Sequence, residues 1–113
     1  HDRAETLAHE TNHREQYDLV IARAVAEISI LLELTLPFCK AEHYFLAYKG
    51  KNYELELQQA QKAQTIFGAE LRKVIPYELP EGMGSRNLLV FQKTKPTPEK
   101  YPRRPGIPAK RPL

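Results

Sequence analysis

Cysteine is almost missing from the 113 residues: Cys39 stands alone, which excludes an internal disulfide and points to a reducing cytoplasm. Its apolar setting, residues 36–39, predicts a small buried hydrophobe rather than a reactive thiol. Long apolar runs are lacking too. The longest, residues 28–38, is interrupted by Glu33, Thr35 and Pro37, well short of the ~18 residues that suggest a membrane span. The opening residues show no basic start followed by an apolar stretch, so no signal peptide is expected there. His1, His9, His13 and His43 have no paired spacing with cysteines or carboxylates, so no metal site is expected. His9 and His13 are four apart and could share a helix face, which reads as two surface side chains. No Gly-x-Gly-x-x-Gly, phosphate-binding loop or Gly-x-Ser-x-Gly elbow is present.

What is present is ordinary in bulk and uneven in detail. With 42% hydrophobic and 27% charged residues, the chain reads as one globular domain. From Lys93 to Leu113 there are seven Lys/Arg and one acid, Glu99. Residues 1–92 hold the other ten basic and thirteen acidic residues, so all of the basic excess lies in the tail. A polyanion is a plausible partner for such a tail; a solvated tail kept for solubility is the plainer alternative. Six of the nine prolines also fall between Pro96 and Pro112. The sequence therefore divides into residues 1–92 and a basic, Pro-rich tail, 93–113, expected to be extended with no helix or sheet of its own.

Hydrophobic patterning predicts an α/β fold. Residues 1–16 are polar and helix-compatible. Residues 17–22 form an apolar, β-branched run that suits a buried strand. Residues 24–36 carry apolar positions at helical spacing, and Pro37 should end or kink that helix. A second strand is expected at 44–48 and a helix at 54–67, with Gly68 as its C-terminal cap. Two last strands, around Leu71–Val74–Tyr77 and Leu88–Phe91, flank the turn-rich Pro80-Glu81-Gly82-Met83-Gly84. Alternating strands and helices imply a parallel sheet, and the closing strand pair an antiparallel finish. The first strand is apolar enough to want neighbours on both sides, so the chain reads like half of a domain.

Few residues carry visible chemistry. Arg23 stands at the carboxyl end of a strand, the edge where open α/β sheets bind ligands. Its guanidinium could meet a carboxylate or phosphate; alternatively it pairs with Asp2, Glu5 or Glu27. Lys49-Gly50 repeats the arrangement after the next strand. In Tyr101-Pro102-Arg103-Arg104-Pro105-Gly106 two arginines are pre-ordered by flanking prolines, which suits phosphate contact.

Several stretches, taken in order, resemble the glucose-inhibited division B family. They are Arg3-Ala4-Glu5, the run Tyr17-Asp18-Leu19-Val20 leading to Ala22-Arg23-Ala24-Val25-Ala26, Lys49-Gly50, and Thr97-Pro98-Glu99-Lys100-Tyr101-Pro102-Arg103-Arg104-Pro105-Gly106 with Pro108-Ala109-Lys110 and Pro112-Leu113. The resemblance covers essentially the whole chain. It implies the C-terminal half of a class I, Rossmann-like methyltransferase that uses S-adenosyl-L-methionine to methylate a guanine N7 in 16S ribosomal RNA. It also implies cofactor contacts for Ala4, Glu5 and Arg23, with the 16S ribosomal RNA or the small ribosomal subunit as partner. Lys49, Lys93, Lys95, Lys100, Arg103 and Arg104 are the corresponding candidates for RNA contact. No catalytic acid or base is expected, because N7 already carries a lone pair and the task is alignment.

The sequence departs from the family in two places. The family's Gly-rich cofactor loop and the acidic residue ending its second strand precede Arg3 there and are lacking here, so the chain alone should bind the cofactor poorly and be inactive. A Gly pair usually precedes the strand at 44–48, where this chain has Glu42-His43; a turn needing positive φ would be strained by that replacement. The rival readings are a non-enzymatic RNA-binding module that works through its basic tail, and a truncated product without function.

Overall fold

A computed structural model describes residues 3–23, 26–50 and 52–113. Four strands form one sheet in the order β1-β2-β4-β3: β1 is Tyr17–Arg23, β2 Cys39–Lys49, β3 Ala69–Glu78 and β4 Ser85–Lys93. Strands β1 and β2 run parallel, while β2–β4 and β3–β4 are antiparallel. The α/β expectation holds, including the antiparallel finish. The first strand, expected to have a neighbour on each side, is an edge strand with β2 as its sheet partner.

Alternation along the strands sorts side chains onto two unlike faces. Val20 and Ala22 of β1, Phe45 and Ala47 of β2, Leu89 and Phe91 of β4, and Leu71 and Val74 of β3 belong to one core. The helices bury their apolar side on that face: Ile28, Leu31 and Leu32 of α2 (Ile28–Thr35), and Ala63 and Phe67 of α4 (Gln61–Phe67). Phe45 and Phe91 stack at 5.9 Å between centroids. The opposite residues of β1, Leu19 and Ile21, remain 50% and 54% exposed, and Tyr44, Tyr48 and Ile75 are exposed with them. A sheet face with this many large apolar groups in water is unusual for a finished domain.

Three elements differ from expectation, each for a local reason. The helix expected over 24–36 runs from Ile28 to Thr35, followed by a 3-10 turn at Leu36–Phe38 containing Pro37; Ala24 and Val25 lie outside the described residues. The helix expected over 54–67 is two helices, α3 (Tyr53–Gln59) and α4, parted at Ala60. The Leu57 carbonyl at that break accepts the Ala60 N–H and the Gln64 side-chain amide, so the interruption leaves it satisfied. Of residues 1–16, the described part, 3–16, holds one short α-helix, α1 (Ala4–Leu7). Gly68 does cap α4, at φ +62°, where a Cβ would come within 2.6 Å of Lys95 Cγ.

The tail is packed against the fold. Tyr101 belongs to the core and meets Phe67 edge-on at 5.2 Å. The Arg14 guanidinium donates to the carbonyls of Tyr101, Pro98, Thr97 and Ala8 at 2.8–3.3 Å. His9 Nε2 is 2.6 Å from the Pro102 carbonyl oxygen. Contrary to expectation the tail also contains a helix, α5 (Ile107–Lys110). Its proline, Pro108, lies in the first turn, where a missing N–H breaks no intrahelical bond.

Glu42 adopts φ +72°, within a stretch of β2 where the β1–β2 register shifts. This is the position where the family resemblance implies glycine, and the glutamate bears the strain of a left-handed conformation. Glu42→Gly should therefore raise stability by about 1 kcal/mol, the αL cost less the extra chain entropy of glycine. Urea unfolding of the two proteins measures it, and a loss of stability would contradict the strain.

The fully buried Lys93 sets a pH dependence. Its ammonium donates to Glu15 Oε2 (2.8 Å) and to the carbonyls of Leu36 (2.8 Å) and Cys39 (2.6 Å). Burial works to raise the Glu15 carboxyl, but the Lys93 ammonium and the Thr97 N–H hold it below its ordinary 4.5. A depressed folded-state value means that the stabilisation is present above the unfolded-state value and is lost as pH falls through the folded one. Wild type should thus lose stability more steeply than Glu15→Gln below pH 4.5, as read by urea midpoints across an acid series.

Candidate functional site

The parallel strands β1 and β2 end side by side, and their carboxyl ends open onto a cleft of about 530 Å³. Arg23 ends β1; Tyr48, Lys49 and Gly50 come from the end of β2; Tyr77, Leu79 and Arg86 come from the β3–β4 hairpin. Register explains the convergence. Arg23 pairs across the sheet with Tyr48, and Tyr77 with Arg86. The two tyrosine rings meet edge-to-face at 6.1 Å.

Among the described residues no carboxylate lines this cleft. Arg23 has no ion pair among the described residues, so the pairings with Glu5 or Glu27 do not form; Asp2 lies outside the described residues. Arg86 donates to its neighbour's carbonyl, Ser85, at 2.9 Å. Lys49 differs, because its ammonium is already engaged by Glu56 Oε1 (2.7 Å) and the Ala26 carbonyl (3.0 Å). Glu56 also accepts the Ile28 N–H at the start of α2. The cleft therefore presents two guanidinium groups and two aromatic rings at the edge where such sheets bind ligands.

The six expected RNA-contact cations do not form one set. Lys95, Lys100 and Arg104 are exposed. Lys93 and Lys49 are buried, at 0% and 6% exposure, with ammonium groups spent on carboxylates and carbonyls inside the fold. Arg103 grips buried Glu33 through Nε (3.0 Å) and Nη2 (2.8 Å), and its backbone N–H adds a third bond at 2.8 Å. Hydrogen bonding to Glu33 raises the Arg103 pKa further above its ordinary value. Lys49, Lys93 and Arg103 thus each have a carboxylate partner within the fold: Glu56, Glu15 and Glu33. Cys39 is buried as expected, and burial pushes its thiol pKa up. His13 bonds Tyr17 and His9 bonds Pro102, so the two histidines do not converge.

Comparison with known proteins decides the family. The model of the GidB family, described as rRNA small subunit methyltransferase G, matches residues 1–87. The chain belongs to this family. A GidB relative from Listeria monocytogenes serotype 4b, named ribosomal RNA small subunit methyltransferase G, is 49% identical over all 113 residues, which make up 48% of that protein. One of the same name from Brevibacillus brevis is 45% identical over the same length and share. Among solved structures, a T. Thermophilus 16S rRNA N2 methyltransferase in complex with AdoMet and guanosine matches at a TM-score of 0.48 and 16% identity, covering 75% of this chain and 22% of that one. The chain spans about half the length of the curated GidB relatives it matches.

Of the cofactor residues that the GidB resemblance implies, Arg23 lines the cleft and Ala4 and Glu5 do not. Glu5 is buried and accepts the Gly106 N–H at 3.0 Å and Arg3 Nη2 at 3.4 Å. Sequence reasoning missed Tyr48, Tyr77 and Arg86 as site residues. Tyr48 and Tyr77 read there only as strand positions, and Arg86 adjoins a turn-rich connector. The signal that could have found them is parity: counting back from the strand ends places them on the face opposite Phe45 and Leu89.

The two neighbouring tail arginines should behave differently. Arg103→Ala leaves the Glu33 carboxylate buried without its fork and should lower stability by about 2–3 kcal/mol. Arg104→Ala removes an exposed side chain and should stay within about 0.5 kcal/mol. Urea unfolding of both variants checks this, and equal effects would refute the structural role given to Arg103.

Proposed function

We propose that this chain is one half of an S-adenosyl-L-methionine-dependent methyltransferase acting on a guanine N7 of 16S ribosomal RNA, in the cytoplasm. Membership of the GidB family supports the reading, and the observation that carries it is the carboxyl-edge cleft with Arg23 at its rim. The residues present fit part of the cofactor. A guanidinium without a carboxylate partner among the described residues suits its carboxylate end, as charge-assisted pairs are the strong ones. Among the described residues the cleft has no acidic side chain to accept hydrogen bonds from a ribose.

When bound, the cofactor would supply an electrophilic methyl group for the guanine N7. N7 carries no proton, so no general base is required. The chain's part is to hold the reactants in line and to keep water away from them. The exposed Lys95, Lys100 and Arg104 are, with Lys110 and Arg111, the tail cations open to RNA phosphates, whose contacts position without reading sequence. In this reading residues 1–92 belong to the methyltransferase domain, and 93–113 form a basic segment strapped onto it.

Titration calorimetry of S-adenosyl-L-methionine tests the proposal, using this chain beside a version extended to the length of its relatives. Binding is expected to the extended protein, with little to the 113-residue chain. Arg23→Ala should weaken it about tenfold or more, the loss of one charge-assisted contact. Binding to neither form would refute the cofactor assignment and favour an RNA-binding module working through the tail.

A further inference from the structure

The cleft has a side that the cofactor reading does not use. Arg23 sits at one rim, whereas Tyr77 and Arg86 face each other across the β3–β4 hairpin at the other, with Tyr48 between. Tyr48 is 40% exposed. Its contact with Tyr77 is edge-to-face, with planes 89° apart, an arrangement that leaves ring surface open to a flat partner. The Arg86 side chain donates to Ser85 through Nη1. A guanidinium has five N–H donors, so this bond leaves several unspent, and Arg86 has no carboxylate partner among the described residues. Stacking surface, a cation with donors to spare and no carboxylate among the described lining residues are what an unpaired nucleotide needs: a ring for the base and donors for the phosphate.

We infer that Tyr48, Tyr77 and Arg86 form the seat of the acceptor nucleotide, a purine nucleotide drawn out of its RNA strand. The inference rests on the methyltransferase reading of the cleft. One tyrosine ring takes a face of the base and the other, set perpendicular to it, borders the base at its side, with the N7 edge turned toward the Arg23 rim. Arg86 takes the phosphate rather than the base, because a fork onto guanine O6 and N7, its usual base contact, would cover the atom to be methylated. Lys49, lining the same cleft, is held by Glu56 and the Ala26 carbonyl and serves as fixed background charge.

The test is binding of guanosine 5′-monophosphate to the protein extended to the length of its relatives, followed by NMR titration, so that no methyl transfer is needed. Tyr77→Ala and Arg86→Ala should each weaken it about tenfold, a single stacking or charge contact. Tyr77→Phe, which keeps the ring, should stay within about twofold. Guanosine without the phosphate should be indifferent to Arg86→Ala. Affinity for S-adenosyl-L-methionine should be unchanged by both alanine variants and reduced by Arg23→Ala. Wild-type affinity for the monophosphate in the alanine variants, or no binding by wild type itself, would overturn the seat. So would loss of the cofactor in Tyr77→Ala or Arg86→Ala to the extent seen in Arg23→Ala. If the monophosphate pattern is as expected but the extended protein transfers no methyl group to 16S ribosomal RNA, the seat stands and the methyltransferase reading fails.

Discussion

A single ammonium holds together the end of the sheet. Lys93, last in β4, points inward where the strand's alternation would otherwise place an apolar side chain, continuing the row Leu89–Phe91. Its three acceptors come from three other places: the turn after α2, the first residue of β2, and Glu15 in the loop before β1. Glu15 in turn accepts the Thr97 N–H, which brings the tail into the same knot. Leaving any of these groups unpaired in the interior is costly, so the four segments are committed together. Glu15 itself sits at φ +53°, a strained conformation retained because its carboxylate is needed in that spot. Arg14 beside it completes the fastening by filling four carbonyls at once.

This knot changes what the tail is. A run rich in proline and lysine reads as a solvated arm, and composition by itself supports nothing more definite. Here residues 5–15 provide partners of both kinds: Arg14 and His9 meet tail carbonyls, and the carboxylates of Glu5 and Glu15 accept the N–H groups of Gly106 and Thr97. Glu33, fully buried on α2, adds the grip on Arg103. The outcome is a division of labour among the basic residues. Those inside the knot are structural, and Lys95, Lys100, Arg104, Lys110 and Arg111 stay exposed outside it.

The sheet is finished on one side only. Helices α2 and α4 and Tyr101 seal the face of Phe45, Leu89 and Phe91, while Leu19, Ile21, Tyr44 and Ile75 lie on exposed positions. That imbalance accords with a chain spanning about half the length of its relatives. It also explains where the cleft lies: Arg23, Tyr48, Tyr77 and Arg86 gather at the carboxyl edge of β1 and β2, beside the same exposed surface.

Much of this was legible beforehand. Apolar periodicity marked all four strands, Gly68 announced its cap, and the strand-end position of Arg23 marked the cleft, because these are local properties of a few neighbouring residues. The replacement of a glycine pair by Glu42-His43 even located the strained φ. Hydrophobic spacing could not show the break at Ala60, since a carbonyl rescued by Gln64 leaves no trace in periodicity. Nor could it tell Arg103 from Arg104, or Lys93 from Lys95, for adjacent cations look alike until their partners are known. Those partners lie 70 and 78 residues away in sequence. The sequence by itself determined the four strands, the charge of the tail and the family. Only the tertiary structure decided which cations are spent on internal carboxylates and which side chains share the cleft, because pairing and burial are set by contacts distant along the chain.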